Sequence, residues 1–242
     1  MTQYNKQDPS TIQAMFNSIA KSYDRTNAVL SFQLHKRWNR ELVRLVVTPQ
    51  SPAVFLDLCC GTGEIAYTHL TQTDVPCQTH FLDFSQEMLT CAKEKAIRLN
   101  IHPPHQLVFT QADAQAIPLP DASVDCATIA YGIRNVKDPS KCIREVFRVL
   151  KPGGTFGILE LTEPTNPVLR FGHSVYLRVF LPIIGRCMSA NQDAYQYLCN
   201  SIHAFVQPVI LEKALIKAGF TRIVRQSLSG GIATILFAKK EC

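Results

Sequence analysis

The sequence contains no run of about 18 uncharged apolar residues, so we expect no segment of it to span a bilayer as a helix. None of its 9 cysteines belongs to a CxxC pair, and the polar residues 1–10 resemble neither a signal peptide nor a transit peptide. Cysteines of this kind are typical of a reducing cytosol, where they pack as small apolar residues. We therefore predict a cytoplasmic protein with no metal site.

The sequence also has little excess charge of either sign. The formal net charge is +6 at pH 7, spread along the chain, with Lys36, Arg37 and Arg40 as the densest early group. This balance does not require nucleic acid as a partner. A basic surface equally favours an anionic membrane face, because each Lys or Arg near such a surface contributes about 1 kcal/mol.

Repeats and low-complexity tracts are absent, and 242 residues with 46% hydrophobic content suit one α/β domain with an insertion. Strand and helix patterns alternate, which predicts a doubly wound sheet. The predicted strands are Ala53–Cys60, Thr79–Phe84, Gln106–Gln111, Val124–Ala130, Thr155–Leu161, Arg222–Leu228 and Ile232–Ala238. The predicted helices are Glu64–Leu70, Gln86–Leu99, Ser140–Leu150 and Val209–Ala218, after a helical region over Ile12–Val47.

Four units follow along the chain. We predict an N-terminal helical lid over 1–50, a cofactor-binding core over 53–162, an insertion over 163–205 and a closing helix and hairpin over 206–242. The insertion breaks the alternation because it is long, apolar and aromatic. Pro152, Gly153 and Gly154 are interpreted as the turn after the helix that precedes the fifth strand, and Gly230 and Gly231 as the turn of the closing hairpin.

The run AVFLDLCCGTGEIA reads as a buried strand that breaks into a glycine turn and opens a helix. Gly61 and Gly63 would let the backbone turn tightly and approach a ligand. Asp83 closes the next strand about twenty residues later, where a carboxylate can take the two hydroxyls of a ribose. This arrangement predicts a site for an adenosine-containing cofactor.

The charges around this turn distinguish between two cofactor classes. Gly61, Gly63 and Ala66 satisfy the loose dinucleotide fingerprint, so an oxidoreductase is one alternative. Asp57 and Glu64 flank the turn, however, and anions there disfavour a pyrophosphate. S-adenosylmethionine has no phosphate, and carboxylates attract its ammonium and sulfonium. The charges favour this methyl donor, and a glycine turn with two solvated acids is the purely structural alternative.

Ligands of open sheets sit at the carboxyl ends of the strands. After the third strand, Asp113 is suited to accept from the amino group of an adenine, and the backbone N–H of Ala114 can face a ring nitrogen. An ordinary turn is the alternative for Asp113. The predicted cofactor-binding residues are Asp57, Gly61, Thr62, Gly63, Asp83, Asp113 and Ala114.

Longer motifs resemble one known family over nearly the whole chain. They are YDRTNAVLSFQLHKRW at Tyr23–Trp38, YGIRNV at Tyr131–Val136 and RVLKPGGTFGILELT at Arg148–Thr162, followed by AYQYLCNSI and SGGIATIL. With the glycine turn and the acidic residues above, they resemble the menaquinone and ubiquinone biosynthesis C-methyltransferases, the UbiE/MenG family. Thr162, where the family commonly has Ser, and Thr26, where it often has Met, are mild departures.

The resemblance implies a class I S-adenosylmethionine-dependent methyltransferase of Rossmann-like fold, with an N-terminal helical region and a helical insertion after the fifth strand. It implies methylation of a ring carbon of a prenylated quinol, foremost demethylmenaquinol in menaquinone biosynthesis. A benzoquinol of ubiquinone biosynthesis is the alternative, because no motif encodes the size of the ring. We expect no nucleic acid partner, since enzymes that methylate amino groups of bases typically carry an Asn/Asp-Pro-Pro-aromatic tetrad where this chain has YGIRNV.

Methylation of an aromatic carbon requires an electron-rich ring, hence the reduced quinol. Arg134 and Asn135, after the fourth strand, are predicted to polarise the ring oxygen. An Arg–carboxylate pair that pins the loop is the alternative for Arg134. We also predict substrate contacts for His35, as a proton acceptor or as a packing residue of the lid, and for Tyr23, at the substrate entrance or as packing.

The insertion contains Val168–Met188, in which Arg170, Arg178 and Arg186 alternate with apolar residues. Such a stretch suits a lipid tail or a membrane surface, and an amphipathic dimer or lid helix is the alternative. We therefore predict peripheral contact with the inner face of the membrane, and a homodimer. Pro182 and Gly185 are predicted to break the stretch into pieces.

Overall fold

The computed structural model describes residues 7–47, 53–101, 103–180, 197–198, 200–201 and 208–241. In these residues a 7-stranded sheet has the order β3-β2-β1-β4-β5-β7-β6, where the strands are Val54–Leu58 (β1), Gln78–Asp83 (β2), Gln106–Gln111 (β3), Val124–Ala130 (β4), Leu150–Leu161 (β5), Thr221–Leu228 (β6) and Ala233–Lys239 (β7). Strands β1 to β5 are parallel, and β7 runs antiparallel to both β5 and β6. This confirms the doubly wound sheet and its closing hairpin.

Several of the described helices begin directly after a capping residue, and some have proline in their first turn. They are Pro9–Ile19 (α1), Tyr23–Leu30 (α2), Leu34–Val46 (α3), Glu64–Leu70 (α4), Gln86–Arg98 (α5), Pro139–Val149 (α6), Pro167–Val175 (α7) and Pro208–Ala218 (α8). The side chains of Asp8, Ser85, Asp138 and Asn166 accept hydrogen bonds from first-turn N–H groups of α1, α5, α6 and α7. Residues Tyr176–Phe180 continue α7 as a π-helical turn.

Two predicted boundaries in the core are wrong by two residues or more. Strand β1 ends at Leu58 rather than Cys60, because Cys59 already turns with a φ of 49°. Strand β5 begins at Leu150 rather than Thr155, and its register against β4 shifts between Val124 and Cys126. Residues 151–154, which include the turn predicted at Pro152, Gly153 and Gly154, therefore form a bulge inside this strand, in which Gly153 has a φ of 81°.

The described part of the N-terminal region contains three α-helices, and one of them belongs to the core. The chain turns at Phe32 and Gln33, which have φ values of 48° and 61°, before α3 crosses the sheet. Gly157 on β5 lets Val46 of α3 approach closely, since a Cβ at Gly157 would overlap that side chain. The lid predicted over 1–50 is therefore anchored on the sheet by α3, while α1 and α2 lie before it in the chain.

Part of the insertion lies outside the described residues, including Pro182, Gly185 and Arg186. The described part consists of α7, its π-helical turn and a few residues around Tyr197. Within the described residues, no helix is both long and apolar enough to cross a membrane.

Candidate active site

Three cavities meet at the carboxyl ends of the parallel strands. The large chamber, about 230 Å³, lies between the glycine turn, β2 and β3, and Gly61, Asp83 and Ala114 line it. The polar chamber, about 50 Å³, lies between the glycine turn and the N-terminal helices. The apolar chamber, about 210 Å³, lies beneath α2, α3 and α7. Tyr23 and Tyr131 line all three chambers and so mark the point where they meet.

The large chamber contains the acidic residues predicted for a nucleoside. Asp83 ends β2, and its carboxylate accepts hydrogen bonds from the backbone N–H of Gly61 at 2.8 Å and of Ser85 at 2.9 Å. Burial raises the pKa of Asp83 to about 6. Asp113 and Ala114 follow β3 at the other end of the chamber, and Asp113 accepts from the backbone and side chain of Gln115. With the backbone of Phe84 as a third donor, the Asp83 carboxylate still retains an acceptor position for a ligand hydroxyl.

Asp57 holds the glycine turn in place. Its carboxylate accepts from the N–H of Ala66 at 3.2 Å and from Thr128 Oγ1 at 2.9 Å, and burial raises its pKa to about 7. With Thr62 it borders the polar chamber. Gly63 lies on the other side of the turn, where a Cβ would meet Tyr67 at 2.7 Å. Its small size therefore allows the turn to pack on the core.

A lysine that sequence reasoning missed neutralises Glu64. Lys95 Nζ lies 2.5 Å from Glu64 Oε1, 2.6 Å from Asp24 Oδ2 and 3.3 Å from Thr62 Oγ1. Thr62 Oγ1 also donates to Asp24 Oδ1 at 2.5 Å. These four side chains, the lysine clasp, join α2, the glycine turn and α5. Glu64 is therefore already paired and is not the free anion that the charge argument assumed.

Arg134 is buried beside the apolar chamber and pairs with Glu160 on β5. Burial opposes its charge, but Glu160 offsets this and the pKa of Arg134 stays raised. Within the described residues its Nε has no hydrogen-bond partner. The structure thus contains the Arg–carboxylate pair considered above, and it also places the guanidinium at the chamber. Sequence reasoning missed Glu160, because nothing in a strand motif shows which buried cation its carboxylate meets.

Asn135 joins the loop after β4 to the insertion. It borders the large chamber, its Oδ1 accepts from the hydroxyl of Tyr197 at 2.9 Å, and its Nδ2 donates to the carbonyl of Tyr131 at 3.4 Å. Asn135 thus lines the large chamber, whereas its neighbour Arg134 lines the apolar chamber.

The two predicted substrate residues both line the apolar chamber. His35 is buried, its Nδ1 lies 2.5 Å from Ser31 Oγ, and burial lowers its pKa. Burial raises the pKa of Tyr23. The remaining wall is mainly apolar, with Trp38 held by a hydrogen bond from its Nε1 to Ser229 Oγ at 3.0 Å. An apolar chamber of this kind suits an aromatic ring with few polar groups.

Comparison with known proteins identifies relatives over the full length of the chain. The model of the ubiE/COQ5 methyltransferase family matches residues 1–240. A demethylmenaquinone methyltransferase of Protochlamydia amoebophila is 53% identical over 236 residues, which cover 98% of this chain and 97% of that protein. One of Chlamydia pneumoniae is 38% identical over 240 residues, covering 97% of this chain and 100% of that protein.

Solved structures show the same fold at low sequence identity. A SAM-dependent methyltransferase from Aquifex aeolicus has a TM-score of 0.60 at 18% identity, over 96% of this chain and 98% of that one. The [4+2]-cyclase SpnF has a TM-score of 0.62 at 19% identity, over 85% of this chain and 80% of that one. Because this fold also occurs in a protein named as a cyclase, the fold alone does not fix the reaction.

Proposed function

This chain belongs to the ubiE/COQ5 methyltransferase family, and from this premise we propose that it methylates a ring carbon of demethylmenaquinol. It is an S-adenosylmethionine-dependent methyltransferase of menaquinone biosynthesis. The observation that carries the choice of acceptor is the 53% identity, over 98% of the chain, to a protein named demethylmenaquinone methyltransferase. Membership of this family favours methyl transfer over the hydride transfer of the oxidoreductase alternative.

The large and polar chambers suit the two ends of the methyl donor. Asp83 takes the ribose hydroxyls, and Asp113 and the N–H of Ala114 take the adenine, as their positions after β2 and β3 support. The amino acid end lies in the polar chamber beside Thr62. Bound there, S-adenosylmethionine supplies an electrophilic methyl group on a positively charged sulfur.

The apolar chamber suits the acceptor ring. It meets the other chambers at Tyr23 and Tyr131, so a ring in it can face the sulfonium through the space between these two side chains. The protein then contributes mainly the alignment of ring carbon, methyl and sulfur. Tyr23 lies where the chambers meet, which supports its role at the substrate entrance.

We assign Arg134 to the ring oxygen, and Asn135 to the loop that positions Arg134. When a ring hydroxyl loses its proton, negative charge develops on that oxygen. This charge needs stabilisation until the ring carbon has formed its bond to the methyl group. Arg134 provides a buried cation at the chamber wall, held by Glu160, and its Nε is a donor with no partner among the described residues. Asn135 sets the shape of the loop through Tyr197 and Tyr131.

Methyl transfer itself can be measured directly. The protein is incubated with S-adenosylmethionine and either demethylmenaquinol or the matching benzoquinol precursor, both kept reduced, and the products are followed by mass spectrometry. We expect a gain of one methyl group on demethylmenaquinol and slower reaction of the benzoquinol. Faster reaction of the benzoquinol would assign the enzyme to ubiquinone biosynthesis instead. Absence of product from both substrates would contradict the proposed acceptor class.

We propose that the prenyl tail reaches the enzyme at a membrane surface, through exposed apolar residues beside the apolar chamber. Phe32, Val168 and Phe171 are 71%, 78% and 73% exposed. Phe32 also lines the chamber. Exposed Arg170 and Arg178 lie on the same segment, which favours an anionic surface.

Flotation with anionic liposomes tests this contact. Phe171→Asp is expected to weaken association of the protein with vesicles, because a carboxylate replaces an apolar side chain that would enter the interface. The matched control is Ile97→Asp, since Ile97 is 80% exposed near the carboxyl end of α5. Equal effects of the two substitutions, or no association of the unmodified protein, would exclude the lipid surface. Light scattering on the same samples tests the predicted homodimer.

A further inference from the structure

Ser31 and His35 form a chain of hydrogen bonds at the wall of the apolar chamber. Ser31 Oγ lies 2.7 Å from the backbone carbonyl of Asn27 and 2.5 Å from His35 Nδ1. The His35 ring lines both the apolar and the polar chamber. Among the described residues, the hydrogen bond found for the His35 ring is the one at Nδ1, and none is found at its second nitrogen, Nε2.

Counting hydrogens fixes which nitrogen of His35 carries a proton. A carbonyl oxygen only accepts, so the contact between Ser31 Oγ and the carbonyl of Asn27 requires the hydroxyl hydrogen of Ser31. Ser31 then has no hydrogen left for His35, and the 2.5 Å contact requires the hydrogen of Nδ1. In the neutral ring, Nε2 therefore carries the lone pair. The same bonds persist when the ring is protonated, so Nε2 is the nitrogen that titrates.

We infer that Nε2 of His35 accepts the proton of the acceptor's ring hydroxyl, and that Ser31 is the positioning residue that orients His35 for this step. The inference rests on the proposed function, in which the acceptor ring occupies the apolar chamber. It chooses the proton acceptor over the packing residue, the two roles that the sequence left open for His35. It also gives a role to Ser31, which the motif at Tyr23–Trp38 contains but to which the sequence assigned no function.

The protons and electrons of the step balance. The O–H electron pair stays on the ring oxygen when its proton moves to Nε2. Ring electrons then form the bond to the methyl carbon, and the pair of the broken carbon–sulfur bond moves to sulfur. The methylated ring carbon loses its hydrogen as a proton to water, and the oxygen regains a proton from His35. One proton is released per turnover, and His35 returns to its neutral state.

Several charged groups surround His35 and determine where it titrates. Burial, Lys36 and Lys95 lower its pKa, while Glu64 and Asp24 raise it, and the balance lies below the ordinary value of 6.5. The other titratable groups that line the same chambers are Tyr23, Asp57, Cys59, Cys60, Tyr131, Arg134, His173 and Tyr176. A lowered pKa keeps His35 neutral, and hence able to accept a proton, at neutral pH.

The tautomer can be tested without any turnover. Imidazole ¹⁵N shifts are measured on the protein with ¹⁵N-labelled histidine, with and without S-adenosylhomocysteine, and the His35→Gln spectrum assigns the signals of His35. We expect the Nδ1–H tautomer in the free and the bound protein. Finding the Nε2–H tautomer would overturn the inference whatever the enzyme methylates.

Single-turnover rates across pH test the proton transfer. His35→Gln is expected to lower the rate at neutral pH about 10²- to 10⁴-fold, the usual contribution of a general base, and to remove one acidic limb of the pH profile. Binding of S-adenosylhomocysteine is expected to stay unchanged. A rate equal to that of the unmodified protein would overturn the role of His35 as a base, and so would a parallel loss of S-adenosylhomocysteine binding, which would assign His35 to the methyl donor.

Variants of Ser31 separate positioning from packing. Ser31→Ala is expected to lower the rate about tenfold, as for one lost hydrogen bond, and to shift the acidic limb, while Ser31→Thr keeps the hydroxyl and restores both. The control is Thr90→Ala, which removes a similar hydroxyl–carbonyl bond on α5, at 2.9 Å, far from His35 in sequence. Failure of Ser31→Thr to restore the limb would contradict the role of Ser31. Absence of methyl transfer by the unmodified protein would instead contradict the proposed function.

Discussion

Arg134 and Glu160 form a buried ion pair at the wall of the apolar chamber. Glu160→Gln leaves the guanidinium buried without its counter-ion, and we expect it to lower the free energy of unfolding by about 3–5 kcal/mol. Urea unfolding measures this, and Glu41→Gln is the control because Glu41 pairs with an exposed partner, Arg44, on the surface. The control should change stability by about 0–1 kcal/mol. Equal effects of the two substitutions would contradict the burial of the Arg134 pair.

Asp83 gives the binding of the methyl donor a pH dependence. Its pKa of about 6 in the free protein means that it is ionised at neutral pH and protonated in mild acid. An ionised carboxylate is the stronger acceptor for ribose hydroxyls, so S-adenosylhomocysteine should bind more weakly as the pH falls through about 6. Calorimetric titration across this range measures the effect.

Asp83→Asn is expected to bind S-adenosylhomocysteine weakly and to lose this limb of the pH dependence, whereas Asp74→Asn, at an exposed position, should behave as the unmodified protein. The same raised pKa affects stability. The folded pKa lies above the unfolded value, so the stability contributed by protonated Asp83 is present in acid and is lost as the pH rises through about 6. If the binding of S-adenosylhomocysteine to Asp83→Asn still weakens as the pH falls through about 6, the pH dependence of binding belongs to another group, such as Asp57.

The positions of single residues were predictable only where local motifs determine them. Asp83, Asp113 and Gly61 follow from strand ends and a glycine turn, and all three line the large chamber as expected. Lys95 and Glu160 were missed because their partners lie far away in the sequence. Pairing of such side chains depends on how helices dock, which motif spacing does not encode.

The lysine clasp connects helix α2 to the glycine turn and to α5. Lys95→Met leaves Asp24 and Glu64 without their cation, so we expect faster hydrogen exchange in α2 and weaker binding of S-adenosylhomocysteine. Lys93→Met, on the same helix but exposed, is the matched control. Exchange in α2 that is unchanged in Lys95→Met would show that the clasp does not hold this helix.

Helix α3 packs closely on β5 where Gly157 leaves room for it. Gly157→Ala places a Cβ against Val46 and Leu42, so we expect it to destabilise the fold by about 1–3 kcal/mol in urea unfolding. Gly172→Ala is the control, since a Cβ at Gly172 of α7 meets nothing within 4 Å. That substitution should be neutral or stabilising by up to about 1 kcal/mol, because alanine favours the helix. A neutral Gly157→Ala would contradict the close approach of α3.

The bounds of helices and strands were predictable where hydrophobic periodicity and turn-forming residues determine them. Helix α4 and strands β3 and β4 have the predicted bounds, because apolar runs and turn residues delimit them. The bulge over 151–154 was missed, since Pro and Gly signal a turn equally well within a strand and between elements. The anchoring of α3 on the sheet depends on long-range packing, which a local helical pattern does not reveal.

At the scale of the molecule, segments distant in sequence build the three chambers. The N-terminal helices, the strand ends and the insertion each contribute walls, and Tyr23 and Tyr131 lie where the chambers meet. The sheet places the strand ends side by side, so the cofactor side was foreseeable from strand order. The apolar chamber was not, because its walls come from α2, α3 and α7, whose docking the sequence does not show.

A crystal structure with S-adenosylhomocysteine and oxidised demethylmenaquinone, which is a poor nucleophile, tests the division of the chambers most directly. We expect the nucleoside in the large chamber and the quinone ring in the apolar chamber, with the sulfur and a ring carbon facing each other between Tyr23 and Tyr131 across the space of one methyl group. A quinone ring bound elsewhere, or one shielded from the sulfur by these tyrosines, would contradict the account.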